Sequence, residues 1–392
     1  MIGEIIYDTY LRRMFKETCN IKDKKLLDYI YQAVLIVEFT ENYLKSNRVK
    51  AIIVGDVAYI YSGVIARVGV KLNIPVYNII DSDGLLINKI EEPHFYRRKF
   101  YWNYKNQFKR FNESEKKEKR LKAKSNLEFR LSGGIDPNMR YITFTSFKEK
   151  TKYNVLSNSD NQKILILLHC FFDSPHIYRY MLFPDFWEWI VFTLRDASKT
   201  NFEWYVKPHP NGLPQNCKII EKLKLMFPKA NYIDPNISNS ELIASNVRYI
   251  FTVYGSAGHE FAYLGLHVVN SGDNPHISYR FNINPKNIEE YSYCIANADN
   301  LKISIDQKEI EEIYYMHYLH PKPFYDVQPI YPNEKSEKYL TIPATMKGKE
   351  KRIAYHFSEK SLDFIINNYS SGNELTYWEN IEKCFQENLE YR

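Results

Sequence analysis

Apolar positions recur at helical spacing from Leu26 to Leu44, with Leu27, Ile30, Ala33, Val34, Val37 and Phe39 marking the face. A β-branched run, residues 49–54 (VKAIIV), follows and reads as a strand ending at Gly55-Asp56. Residues 58–72 return to helical spacing, and residues 74–80, entered through Pro75, read as a second strand. Strand, helix, strand at this separation predicts a βαβ unit and a parallel sheet covered by helices. A second such series starts at Lys163. KILILL is a buried strand, residues 183–198 a helix with Trp187 and Trp189 near its start, and residues 203–206 a strand. Helix 217–227, strand 231–233, helix 238–245, strand 247–253, helix 257–264 and strand 267–270 complete it. The expected fold is α/β of the GT-B kind, two Rossmann-like domains facing across a cleft. Residues 1–155 form the acceptor-side domain, 156–340 the nucleotide-sugar domain, and 341–392 a helical tail.

Between these series the pattern breaks. Residues 97–124 hold 12 Lys or Arg against three Glu, interleaved with Phe100, Tyr101, Trp102, Tyr104, Phe108 and Phe111. Phe95 and Tyr96 precede them. This arm, 92–130, reads either as a basic aromatic surface suited to an anionic membrane or as a hairpin packing its rings on the domain. The chain's net charge of +6 is mild and permits an acidic partner without demanding one. No apolar run reaches the roughly 18 residues of a spanning helix, and the first residues lack a signal-peptide pattern. Five scattered cysteines without a CxxC pair argue against a disulfide framework and a structural zinc site. The expectation is a cytoplasmic protein with at most peripheral contact with the inner face of the cell membrane, and no nucleic-acid motif appears.

Ligands of open α/β sheets sit at the carboxyl ends of strands, so the residues after each strand carry the chemistry. Lys207-Pro208-His209-Pro210 follows a strand directly. Its prolines stiffen the loop and present the Lys207 ammonium and His209 imidazole to an anionic ligand. Tyr254-Gly255-Ser256-Ala257-Gly258 follows the strand RYIFTV. Small residues there let a phosphate approach the backbone at a helix start, and Glu260 lies where a carboxylate can accept from ribose hydroxyls. The bland readings are a rigid turn, a tight strand–helix connection and dipole compensation. His169-Cys170-Phe171-Phe172-Asp173-Ser174-Pro175-His176 follows KILILL. His169, Asp173 and His176 suit a cleft loop that contacts donor or acceptor. Their spacing matches no common zinc pattern, and capping of the next helix is the alternative for Asp173 and His176.

KPHP followed by a strand and a G-S-x-G-x-E turn resembles the donor half of GT-B enzymes of capsule and lipopolysaccharide synthesis. Kdo-transferase-like capsule proteins are similar, and more distantly the bacterial sialyltransferases and teichoic-acid polymerases. HCFFDSPH, FPDFWEWI and the opening IGEIIYDTYLR resemble the same group. The likeness covers 163–272 well and 1–285 loosely. It implies a metal-independent, cofactor-free glycosyltransferase that moves a sugar from a CMP- or UDP-linked donor to a saccharide or lipid-linked saccharide acceptor. His209 and Ser256 would contact the donor phosphate and Glu260 the ribose. Lys207, Pro210, Tyr254, Gly255, Ala257, Gly258, His169 and His176 would complete the donor site. The likeness departs at the start, where YDTYLR stands at once in place of an earlier βα unit. Inverting transfer needs a carboxylate or a His to take the acceptor's proton, and Asp56, Asp83 and Asp173 are the candidates. Asp83-Gly84 partly resembles an acidic-Gly motif of sialyltransferases, but Ser82 precedes it where an acid would stand. DSD read as a metal-binding DxD would leave the KPHP and GSAG turns unexplained. Alternatives on the same architecture are a nucleotide-sugar 2-epimerase, a CDP-glycerol-type phosphotransferase and a decayed, non-catalytic saccharide-binding protein.

Overall fold

The computed structural model describes residues 2–80, 86–92, 102–136, 145–147, 156–177, 181–210 and 212–320. Helix α1 (Gly3–Met14) and the long α2 (Lys24–Ser46) open the chain. Strand β1 (Ile52–Val54), α3 (Ile60–Lys71), β2 (Val76–Ile80) and β3 (Leu86–Ile90) follow. Two compact units emerge. One takes in Met1–Ile36, Ala58–Tyr61 and His94–His320, and the other Val37–Val57 and Ser62–Pro93.

In the smaller unit β1 pairs parallel with β2, Ile52 facing Val76, as the βαβ pattern predicts. Gly69 of α3 sits on Ile52 and Val76, where any Cβ would overlap both side chains. The bare glycine lets helix and sheet approach closely. One element departs from the parallel expectation: β3 pairs antiparallel with β2, Val76 facing Ile90.

The larger unit holds a five-stranded, wholly parallel sheet. Its strands are β4 (Lys163–Leu167), β5 (Glu203–Lys207), β6 (Asn231–Tyr232), β7 (Val247–Thr252) and β8 (His267–Asn270). They lie in the order β6-β5-β4-β7-β8. The connecting helices are α6 (Phe186–Ala197), α7 (Asn216–Met226), α8 (Asn239–Ala244) and α9 (Ala257–Tyr263), and α10 (Ile288–Ala296) follows β8. Side chains alternate across the sheet. Ile164 and Ile166 face α6, α7 and α10, among Trp189, Ile190, Leu223 and Tyr291. Leu165 faces α8 and α9, among Leu242, Ile250 and Phe261. Both faces are covered, which is why β4 reads as an unbroken apolar run. The buried Tyr291 hydroxyl accepts from Trp189 Nε1 at 2.7 Å and meets Thr193 Oγ1 at 2.8 Å, so the aromatic core keeps its polar atoms satisfied.

The basic arm forms α4 (Tyr104–Lys109) and α5 (Glu113–Leu131), the latter opened by an Asn112–Glu115 capping box. Tyr104, Phe108, Ala123 and Leu127 are buried against Tyr263, Phe281 and α11 (Gln307–Tyr314). Arg120 pairs with Glu312 at 3.0 Å, and Lys105 pairs with Glu309. Of the two readings of the arm, packing on the domain is the one these rings take. Phe95, Tyr96, Phe100 and Tyr101 lie outside the described residues, as does the expected tail beyond 320. The described chain closes with one π turn, Tyr315–Leu319. Among the described residues no helix is long and apolar enough to cross a membrane.

Phe108 is enclosed by α5, α11 and the π turn. Phe108→Ala should therefore lower stability by roughly 3–5 kcal/mol in urea unfolding. An arm resting on the surface would lose almost nothing.

Candidate nucleotide-sugar site

The strand order sets the position of the site. From β4 the chain moves outward to β5 and β6, then returns to the other side of β4 to lay down β7 and β8. The loops after β4 and β7 therefore diverge, and the crevice between them is the topological switch point where ligands of such sheets bind. A cavity of about 350 Å³ lies there.

Ten of the residues singled out from sequence line it: His169 and Asp173 after β4, Lys207, His209 and Pro210 after β5, Tyr254, Gly255, Ser256 and Ala257 after β7, and Glu260 on α9. His169 ties the two loops together. Its Nε2 accepts from the Tyr254 backbone N–H at 3.2 Å and from that of Val253 at 3.4 Å, with Thr252 Oγ1 at 3.1 Å. That fixes the tautomer, leaving the proton on Nδ1. Burial, reinforced by His209, pushes the imidazole down to about 3, so it stays neutral. Its ring stacks on Phe186 at the start of α6, 4.8 Å between centroids. Gly255 turns the chain at φ +126°, a conformation that favours glycine. The Ser256 hydroxyl stands at the start of α9 without capping it.

Three charges on the cavity wall are already engaged. Lys207 is buried, and its Nζ donates to Ile237 O and Asn239 Oδ1, both at 2.7 Å. Burial pushes its ammonium down to about 8, against a pull upward from Glu241 and Asp234. Glu260 and Arg130 form a buried ion pair, Oε1 to Nε at 2.5 Å. The carboxylate oxygen expected to meet ribose is thus held by the last turn of α5.

Three other candidates are not among the lining residues, and a fourth falls outside the described residues. His176, in a 3-10 turn (Pro175–Ile177), is not among the lining residues. Its Nδ1 lies 2.6 Å from Asp8 Oδ1, and its backbone N–H donates to Asp8 Oδ2 at 3.2 Å, fastening α1 to the loop. Burial lowers the imidazole, but the Asp8 carboxylate outweighs it and the net shift is upward. Gly258 packs under His276 and Asn282, where a Cβ would collide with both. Asp56 is exposed after β1 in the smaller unit, and Asp83 lies outside the described residues. The cavity also takes in Arg130, Ser146, Asn239, Thr252, Pro275, His317 and Tyr318, which the sequence did not signal. Asn239 follows a capping-box Ser238 that could have drawn notice; the others carry no local pattern. Among the described residues no group of three or more His, Cys, Asp or Glu could hold a metal ion.

No family profile matches the chain, and no curated protein sequence does. Among solved structures it is similar to the β-Kdo 2,4 transferase KpsC of Thermosulfurimonas dismutans, at 16% identity and a TM-score of 0.40 over 68% of this chain and 79% of that one. The β-Kdo 2,7 transferase KpsC of the same organism gives 14% and 0.34 over 62% and 69%. A UDP-GlcNAc 2-epimerase of Methanocaldococcus jannaschii, solved with UDP-GlcNAc and UDP, gives 14% and 0.28 over 72% and 79%.

Two measurements check the electrostatics. Glu260→Ala leaves Arg130 as a buried cation and should cost roughly 3–5 kcal/mol, much of it recovered in an Arg130→Met/Glu260→Leu double variant. Lys207 should show in the pH dependence. Its folded value lies below its unfolded 10.5, so between about 8 and 10 the unfolded state binds more protons. Wild-type stability should therefore rise with pH across that window relative to Lys207→Met. A constant difference would mean that the ammonium is well solvated.

Proposed function

We propose that this chain is a glycosyltransferase that takes a nucleotide-sugar donor into the switch-point cavity and passes the sugar to a bacterial surface saccharide. The observation that carries the reading is the meeting, in one crevice, of the KPHP loop, the Gly255-Ser256 turn and the HCFFD loop. These are the segments on which the resemblance to capsule enzymes rests. His209, Ser256 and the Lys207 ammonium are the groups that would meet the donor's phosphates, Lys207 by exchanging its hydrogen bonds to Ile237 O and Asn239 Oδ1, and Pro208 and Pro210 keep the loop stiff around them.

Transfer breaks the bond between the anomeric carbon and the phosphate oxygen, and the electron pair leaves with the nucleotide. Cationic and N–H donors aimed at that oxygen stabilise the charge that develops there. The acceptor hydroxyl forms the new bond and must lose its proton. Of the candidate carboxylates among the described residues, Asp173 lines the cavity, and we assign the catalytic carboxylate to it. Its charge is felt by His209 across the same cavity. The Arg130–Glu260 pair gives the ribose region a fixed polar wall. Because Glu260 is engaged, its part in the donor site is to hold Arg130 as much as to accept from a sugar.

Calorimetry with CMP, CDP, UDP and GDP tests the donor site. One nucleotide should bind and, at about 100 times its Kd, stabilise the fold by about 2.7 kcal/mol. His209→Ala should weaken it roughly 10- to 100-fold, as expected for a lost hydrogen bond to a charged phosphate. Affinity should also fall as pH rises through about 8, where the Lys207 ammonium loses its proton. Turnover of nucleotide-sugar only when an acceptor is added marks transfer, and turnover without one marks epimerisation. A folded protein that binds none of the four nucleotides would remove the donor site and with it the transferase.

A further inference from the structure

Two segments of the larger unit, far apart in sequence, expose aliphatic side chains on a shared basic face. Ile21, in the turn between α1 and α2, is 84% exposed, and Leu27 and Tyr31 on the first turns of α2 are 63% and 65% exposed. Leu225, near the end of α7, is also 84% exposed, with Met226 beside it. An ion pair joins the segments: Lys222 Nζ of α7 lies 2.5 Å from Glu17 Oε1. Leu225 and Met226 stand three and four residues after Lys222, so they lie on the same side of α7. Lys222 also covers the Trp187 ring at 4.4 Å, which holds its stem in place.

Exposed aliphatic residues occurring singly are ordinary on any surface. These are not isolated, and their setting is cationic. Residues 12–25 carry six Lys or Arg against Glu17 and Asp23, and residues 216–229 carry four Lys against Glu221. Together the two segments carry an excess of seven positive charges. Lys22, Lys24 and Lys25 flank Ile21, Lys224 stands next to Leu225, and all four are exposed.

Lysine is depleted at interfaces between proteins, because burying an ammonium is costly. A lipid headgroup layer makes the opposite demand. Lysines stay in water near the anionic phosphates while aliphatic tips enter the acyl boundary. We infer that this face seats the protein on an anionic phospholipid surface, with Ile21 and Leu225 inserted and the surrounding lysines on the headgroups. It is a different surface from the lysine-rich arm, whose Tyr104 and Phe108 are buried in the core.

Flotation of the full chain with vesicles tests this. Phosphatidylglycerol–phosphatidylcholine vesicles should carry the protein up at low salt, and phosphatidylcholine vesicles should not. Binding should weaken sharply in 0.5 M salt. An Ile21→Ser/Leu225→Ser variant, altered only at exposed positions, should bind at least tenfold more weakly. Lys22→Glu/Lys224→Glu should lose roughly fivefold or more per position. A Lys117→Glu/Lys122→Glu variant on the exposed side of α5 should bind as the wild type does. The inference is overturned if the wild type floats with neither vesicle, or if the α5 variant is the one that loses binding. It is equally overturned if Ile21→Ser/Leu225→Ser turns a sedimenting dimer into a monomer while vesicle binding stays absent, since the face would then join two copies of the chain.

Discussion

The candidate site depends on the pairing of β4 with β7. These strands are neighbours in the sheet yet far apart in sequence, Ile166 facing Phe251 across the ladder. Everything between them is spent building β5, β6 and their helices on one side. The loops that leave β4 and β7 must therefore part, and the cavity opens between them. His169 bridges it at the base by accepting backbone N–H groups from the opposite loop. Because that imidazole is held neutral, it can keep this role across the physiological pH range. The cavity is thus a product of connectivity, and its floor is fixed before any ligand arrives.

Around that floor the protein has placed charge where charge is expensive. A buried ammonium or carboxylate is tolerated only when paired or hydrogen-bonded. Arg130 and Glu260 meet this condition through each other, although 130 residues separate them. Lys207 meets it through Ile237 in the loop before α8 and Asn239 at the start of that helix. Both arrangements draw in elements outside the sheet. Helix α5 is fastened to α11 by Arg120–Glu312 and by the cluster around Phe108, and it delivers Arg130 to the cavity wall. The lysine-rich arm therefore contributes to the cavity through its buried end.

Much of this was legible in the sequence, and the division follows the range of the interactions. KILILL, RYIFTV and FEWYV are strands whose side chains are mostly buried, which produces largely apolar runs that need no partner to be recognised. The KPHP and GSAG turns could be placed because they follow those strands directly. What escaped depends on distant partners. Nothing in residues 86–90 states that the strand turns antiparallel, since that is decided by its register with Val76. His176 looks like a ligand until Asp8, 168 residues earlier, is found on its Nδ1. Gly258 has the spacing of a phosphate turn, yet the contact that requires a glycine there is His276. Arg130 ends a helix whose own pattern shows only a solvated, lysine-rich surface. In each case a local pattern allowed two outcomes, and a contact from another part of the chain selected one.

The tether on Lys207 gives the crevice a threshold. An incoming anion does not meet an idle cation; it meets one already shared between Ile237 O and Asn239 Oδ1. To recruit the ammonium it must outcompete two short hydrogen bonds. A chloride brings a single charge to that contest, whereas a polyphosphate brings several oxygens and more than one charge at once. Any ligand that draws on this ammonium has to replace those two hydrogen bonds with its own.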